Sequence, residues 1–246
     1  MDERPRFIEI DIARGIAILM MVLFHTLFDI SFFSIAPVNV STGFWRYFAY
    51  ATATLFLLIV GVSLVVSHDR AAAKLSGSAL AKKFLLRGSG IFSLGLLVTA
   101  ATWLYLGEGF IIFGILHLIG VSVMLSPLFF RFRKYNLITG SCCILAGFFL
   151  TGIYGPWWLL PFGIHPAGFT SVDYTPLFPW FGVVLIGIGI GDFLYTGGVR
   201  QFALPRLPDL FSTPLAFLGR HSLLIYLVHQ PVIILLLGMV TGTNVL

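Results

Sequence analysis

Seven stretches of this chain stay apolar for roughly 20 residues each, the length that crosses bilayer hydrocarbon as a helix. They cover about 12–34, 45–66, 86–106, 110–130, 136–154, 176–196 and 218–240. Lipid offers no partner to an unpaired backbone N–H or C=O, so each run is expected to cross as a helix. The fold expected is therefore all-α: a polytopic membrane bundle of about seven transmembrane helices. With 58% hydrophobic and only 10% charged residues the chain is solvated by lipid, and the apolar residues are spread along its length. One integral-membrane domain over 1–246 is the organisation expected, with no further domain after the closing "TGTNVL". "LGEGF" (Leu106 to Phe110) and "RFRKYN" (Arg131 to Asn136) read as the turns before and after the fourth run. The opening "MDERPRFIEIDIAR" is too charged for a removable signal peptide and lacks a small-residue cleavage site, so it reads as an interfacial lead-in.

The basic residues fall on one side of these spans. Arg4, Arg6 and Arg14 precede or open the first. Arg70, Lys74, Lys82, Lys83 and Arg87 lie between the second and third, and Arg131, Arg133 and Lys134 between the fourth and fifth. Arg200, Arg206 and Arg220 lie between the sixth and seventh. That is 14 of the 15 Lys and Arg residues, with Arg46 alone opposite. The positive-inside rule then places the N-terminus in the cytoplasm and the C-terminus outside, in the cell membrane. A nucleic-acid partner is not expected, because the basic residues form no tract. The segment Tyr154 to Pro176 has no Lys or Arg and four prolines, and reads as an ordered outer cap with Trp157, Trp158 and Tyr174 at the interface. Adjacent Cys142 and Cys143 suggest packing residues and no disulfide framework, and no metal is expected. The glycines of "GVVLIGIGIGD" suit close helix contact and do not fit a nucleotide loop.

Ionisable groups inside a span are functional candidates by default. At 100° per residue, Arg14 and His25 are nearly in line on the first helix, with Asp11 and Asp29 about 60° aside. This stripe extends over roughly 27 Å and places His25 in the outer half of the bilayer. Asp29, four residues on, could accept an imidazole proton from His25 and fix its tautomer for base catalysis. The alternatives are an interfacial ion pair for Asp11 and Arg14 and a satisfied core pair for His25 and Asp29. His117, about two turns past an outer turn, and His229 are the other intramembrane histidines, and a polar cavity common to all three is expected. Ser222, Tyr226 and His229 share a face by their spacing.

Four stretches, "RFIEIDIARGIAILMMVLFH", "FIIFGILHLIGV", "DYTPLFPWFGVVLIGIGIG" and "FLGRHSLLIYLVHQP", together resemble the prokaryotic branch of the heparan-α-glucosaminide N-acetyltransferase family. The opening D-x-x-R-G-x-A and the closing G-R-x-S-L-x-I-Y-L-x-H-x-P also resemble the wider type-3 membrane acyltransferases. The resemblance implies transfer of an acyl group from cytoplasmic acyl-CoA to an acceptor, often a sugar, with a transmembrane histidine as base or acyl acceptor. It matches Asp11, Arg14 and His25 to the first motif, His117 to the second, Asp173 and Trp180 to the third, and Arg220 and His229 to the fourth. Lysosomal members are larger, and have an asparagine where this chain has His25.

The expectation is thus a histidine-based acyltransferase, with His25, Asp29, His117 and His229 catalytic and acetyl-CoA or another acyl-CoA as donor. Arg87, Arg131, Arg133 and Lys134 offer charge to the donor's phosphates, although such residues also set topology and bind anionic lipid. The acceptor expected is sugar-like or lipid-linked, and a homodimer is implied only by the resemblance. Two other classes remain open. One is a b-type haem protein with His117 and His229 as axial ligands; the other is a lipid or solute permease, which an odd number of spans disfavours.

Overall fold

The computed structural model of the chain describes residues 6–205 and 208–242. Arg4 and Arg206 of the basic set lie outside the described residues, as does the end of "TGTNVL". Regular structure among the described residues is helical, apart from an isolated bridge between Tyr154 and His165. The chain divides into two compact units, one holding the described residues up to Phe56 and from Leu204, the other Leu57–Ala203.

The first unit contains α1 (Ile8–Phe32), the start of α2 (Gly43–Ala72), α7 (Asp209–Arg220) and α8 (Ser222–Thr241). Helices α1 and α7 run antiparallel and touch backbone to backbone. Gly15 abuts the carbonyl of Leu215, and Gly219 abuts that of Asp11. Small residues at such a crossing let the helix axes approach closely. Ser212, Ala216 and Gly219 form the buried face of α7 at i, i+4 and i+7, while Leu210, Phe211 and Phe217 point away. The seventh apolar run does not form one helix: the chain breaks at His221 (φ −100°, ψ 14°), between α7 and α8.

The second unit contains the rest of α2, then α3 (Gly77–Leu106), α4 (Ile115–Phe129), α5 (Asn136–Leu150) and α6 (Leu177–Leu194). Its glycines give the directions of the helices. Gly88 meets Met124, Gly120 meets Phe92 and Gly95 meets His117, so α3 and α4 are antiparallel. Gly140 meets Gly182, Gly147 meets Pro179 and Gly189 meets Leu137, so α5 and α6 are antiparallel as well. Leu58 lies on Gly187 and Val62 on Gly191, so α2 and α6 run parallel. The α2–α3 hairpin is antiparallel, with Ser67 against Arg87 and His68 against Phe84. These relations agree only if the chain reverses between α4 and α5.

The reversal falls in the 3₁₀ segment Phe130–Tyr135, where Arg133 takes φ 44°, a conformation rare for a side-chain-bearing residue. Asn136 supports it by donating to the carbonyls of Phe129 (2.9 Å) and Arg133 (2.8 Å). Among the described residues, six helices are long and apolar enough to cross a membrane when Ile115–Leu150 is taken as one stretch. The reversal divides that stretch into two legs, as the separate fourth and fifth runs anticipate. Helix α3 begins at Gly77, well before the expected 86, and α2 continues to Ala72 instead of ending at 66. Polar turns carrying Lys82, Lys83, His68 and Arg70 extend both helices beyond their apolar cores.

Two glycines on α3 make a matched test of this packing. A Cβ on Gly88 would lie 2.7 Å from the Gly120 carbonyl oxygen and 2.8 Å from the Met124 nitrogen, whereas one on Gly90 meets nothing within 4 Å. Gly88→Ala should destabilise by about 1–3 kcal/mol. Gly90→Ala should be neutral or stabilise by up to about 1 kcal/mol, through helix propensity. Thermal unfolding of the two purified variants checks the ordering, and equal midpoints would contradict the α3–α4 contact.

Candidate active site

The polar stripe of α1 is real, and its two ends do different things. At the first end Arg14 donates from Nη1 to Asp11 Oδ1 (3.1 Å) and to the Gly219 carbonyl (3.4 Å), near the C-terminus of α7. A cation suits that end of a helix, where carbonyls lack helical partners and the dipole is negative. Arg220 also serves α7, donating from Nε to the Ala216 carbonyl at 3.2 Å.

At the other end the rings of His25 on α1 and His229 on α8 stand edge to face, their centroids 4.8 Å apart. His25 Nδ1 lies 2.9 Å from the Met21 carbonyl, and His229 Nδ1 lies 2.6 Å from that of Tyr226. A carbonyl can only accept, so each Nδ1 carries the proton, and in the neutral ring each Nε2 keeps its lone pair. Both imidazoles are thus held by their own helices in the tautomer a base requires. Asp29 does not supply that orientation, contrary to the expectation from its spacing. A helical side chain leans toward the N-terminus, so the carbonyl one turn back is nearer to the ring of His25.

Asp29 pairs instead with Gln230, which sequence reasoning passed over. The amide Nε2 of Gln230 donates to Asp29 Oδ1 at 2.6 Å. Asp29 is only 2% exposed and His229 8%. Three atoms in this group are buried without a partner: Asp29 Oδ2, Gln230 Oε1 and His229 Nε2. Buried polar atoms are ordinarily hydrogen-bonded, so this cluster is the incomplete part of the first unit. Ser222 is buried at the start of α8, and Tyr226 packs its ring 5.5 Å from that of His229.

His117 belongs to the second unit, and its surroundings are complete. It sits in the first turn of α4, not two turns along, because the preceding Phe110–Gly114 is not helical. Nδ1 accepts from the Gly114 N–H (3.2 Å), and Nε2 faces Thr99 Oγ1 (3.4 Å). The rings of Phe92 and Phe113 pack on it. Both nitrogens are therefore engaged, which disfavours an axial bond to haem iron. Asp173 caps the same helix: Oδ2 accepts from the Ile115 N–H (3.0 Å), and Oδ1 accepts from the Thr175 hydroxyl (2.6 Å). Desolvation pushes its carboxyl above the ordinary aspartate range, against the pull of those two donors. Tyr174 donates its hydroxyl to the Leu160 carbonyl (2.7 Å), and burial raises its pKa to about 12. The segment expected as a cap contains the bridge between Tyr154 and His165 and a 3₁₀ turn, Trp157–Phe162. Trp180 lies half-buried in the first turn of α6.

Of the basic residues proposed for the donor, Arg133 is paired with Asp192 (2.7 Å), beside a second pair in which His68 Nδ1 lies 3.0 Å from Asp69 Oδ1. Arg131 lies over the ring of Phe132 and Lys134 over that of Tyr135. Arg87 donates to Ser67 Oγ at 3.4 Å, and all three of these cations are exposed.

Apolar helices of membrane-crossing length, with a histidine pair and a carboxylate–amide pair buried among them, define an integral membrane protein with an internal polar site. The catalytic-domain model of heparan-α-glucosaminide N-acetyltransferase matches residues 6–231, and the chain belongs to that family of membrane acetyltransferases. No curated protein and no solved structure gives a match.

Proposed function

We propose that this protein transfers an acetyl group from acetyl-CoA to a hydroxyl or amine of a sugar-like or lipid-linked acceptor, in the cell membrane, with His25 as the base. The observation that carries this reading is the His25–His229 pair, with both Nδ1 protons committed to backbone carbonyls, within a chain of this family. Nε2 of His25 takes the proton of the acceptor O–H or N–H as the acceptor's lone pair attacks the thioester carbonyl. A C–O or C–N bond forms, the C–S bond breaks, and the CoA thiolate leaves and recovers the proton from the imidazolium. Holding the reactants in one geometry supplies the rest of the acceleration.

His117 and Asp173 have a positioning part in this reading, because their polar atoms are already engaged at the start of α4. Arg87, Arg131 and Lys134, exposed and on the side read as cytoplasmic, bind the donor's phosphates. Arg133 is committed to Asp192. The test is release of CoA and formation of acetylated product by detergent-purified protein given acetyl-CoA and a series of amine and hydroxyl acceptors. The double change Arg131→Ala with Lys134→Ala should weaken acetyl-CoA binding about tenfold, the loss of one or two exposed charge-assisted contacts. Folded protein that neither binds acetyl-CoA nor releases CoA with any acceptor would overturn the reading.

A further inference from the structure

We infer that Asp29 and Gln230 form the subsite that selects the acceptor, and that they select for two adjacent N–H or O–H donors. The inference rests on the acetyl-transfer reading and adds the residues that choose its second substrate. Gln230 Nε2 and Asp29 Oδ1 satisfy each other at 2.6 Å. Only the amide nitrogen can face the carboxylate, so Gln230 Oε1 must point elsewhere. What remains is uniform in kind: Asp29 Oδ2, Gln230 Oε1 and His229 Nε2 are buried acceptors with no donor directed at them. The carboxylate and the amide oxygen come from facing helices and are locked together, so they can grip neighbouring atoms of a single ligand. His229 Nε2, on the residue next to Gln230, accepts a further donor.

A ligand with a single donor would leave at least two of these atoms unpaired, each costing roughly 1–3 kcal/mol. A vicinal amino-alcohol or diol satisfies the carboxylate and the amide oxygen together. An ester, a ketone or an isolated alcohol does not. Asp29 lies one helical turn, roughly 6 Å, beyond His25 on α1. The gripped pair is therefore next to the base and not on it.

The experiment compares two acceptor probes. One is methyl glucosaminide, which carries an adjacent pair of hydroxyls beside its reacting amine; the other is its analogue without the hydroxyl next to the amine, and so without the pair. For the unaltered protein the complete probe should be favoured at least about tenfold in kcat/KM, mostly through KM, as expected for one lost hydrogen bond in a buried site. In Asp29→Asn and in Gln230→Leu, both close in size to the native side chain, the preference should collapse toward unity. The inference is overturned if the unaltered protein treats both probes alike, or if the preference survives in both variants. If acetyl-CoA does not bind at all, it is the acetyl-transfer reading that fails. The subsite is then judged by calorimetric titration of the same two probes, where equal affinity or none for either overturns it.

Discussion

Replacing His25 by alanine is expected to lower kcat for acetyl transfer by roughly 10²–10⁴, the range for loss of a positioned general base. The ring lies against His229, with centroids 4.8 Å apart, and its Nδ1 is held by the Met21 carbonyl. His229 is held on α8 by its own bond to the Tyr226 carbonyl, so its ring does not move into the position that His25 leaves. Acetyl-CoA affinity should change by less than about twofold, since a group acting only in the transition state lowers kcat without changing donor binding. The check is single-turnover transfer beside calorimetric titration of acetyl-CoA. A folded His25→Ala protein with the kcat of the unaltered enzyme would remove His25 from the chemistry. His229→Ala would then be the next variant to measure, and His117→Ala the last, because both His117 nitrogens already have partners.

The largest structural effect is expected from Gly219→Val. A Cβ at this position meets the backbone carbonyl of Asp11, and the Gly15 nitrogen lies 3.0 Å away. Backbone atoms cannot swing aside as a side chain can, so the cost should be about 3 kcal/mol or more, the upper end of overpacking penalties. Against a total stability of roughly 5–15 kcal/mol that is a large fraction. The variant should give a sharply reduced yield of monodisperse protein and a lowered unfolding midpoint. Arg14→Ala, which removes the bonds to Asp11 and Gly219 without forcing backbone apart, should cost less. A Gly219→Val protein as stable as Arg14→Ala would refute the close contact of α1 and α7.

That contact explains two motifs which the sequence shows only separately. Asp11, Arg14 and Gly15 of the opening motif and Gly219 of the closing one are neighbours in space. Each motif reads as polar and glycine residues at a helix end. Nothing in their spacing says that one helix lies on the other, because the close approach involves backbone and leaves no side-chain pattern. Helix α7 leaves little trace in the sequence: Pro208 and Pro214 and an amphipathic face of only three turns do not register as an apolar run.

Apolar runs marked most of the spans well, since lipid exposure imposes the signal residue by residue. The apolar runs stop short of the helix ends where polar turns continue a helix, as in α2 and α3. In the site, the histidines were legible because an ionisable group in an apolar run is conspicuous. Gln230 was not, although it stands in the quoted "LVHQP". An uncharged amide beside a histidine draws no notice until its partner, Asp29, some 200 residues away, is known to face it. The spacing of Asp29 suggests the wrong partner for the converse reason: a neighbour at i+4 is visible in sequence, and one on another helix is not.

Asp173 ties the segment before α6 to the first peptide of α4, while His117 ties Gly114 in the same turn from within the helix. Thr175 and Phe113 add a further strut, an N–H to carbonyl bond of 3.0 Å. Anything that pulls on that segment therefore pulls on the end of a membrane helix. Deuterium uptake at Gly114 and Ile115 would register such a pull as a loosened knot, far along the chain from the residues being pulled.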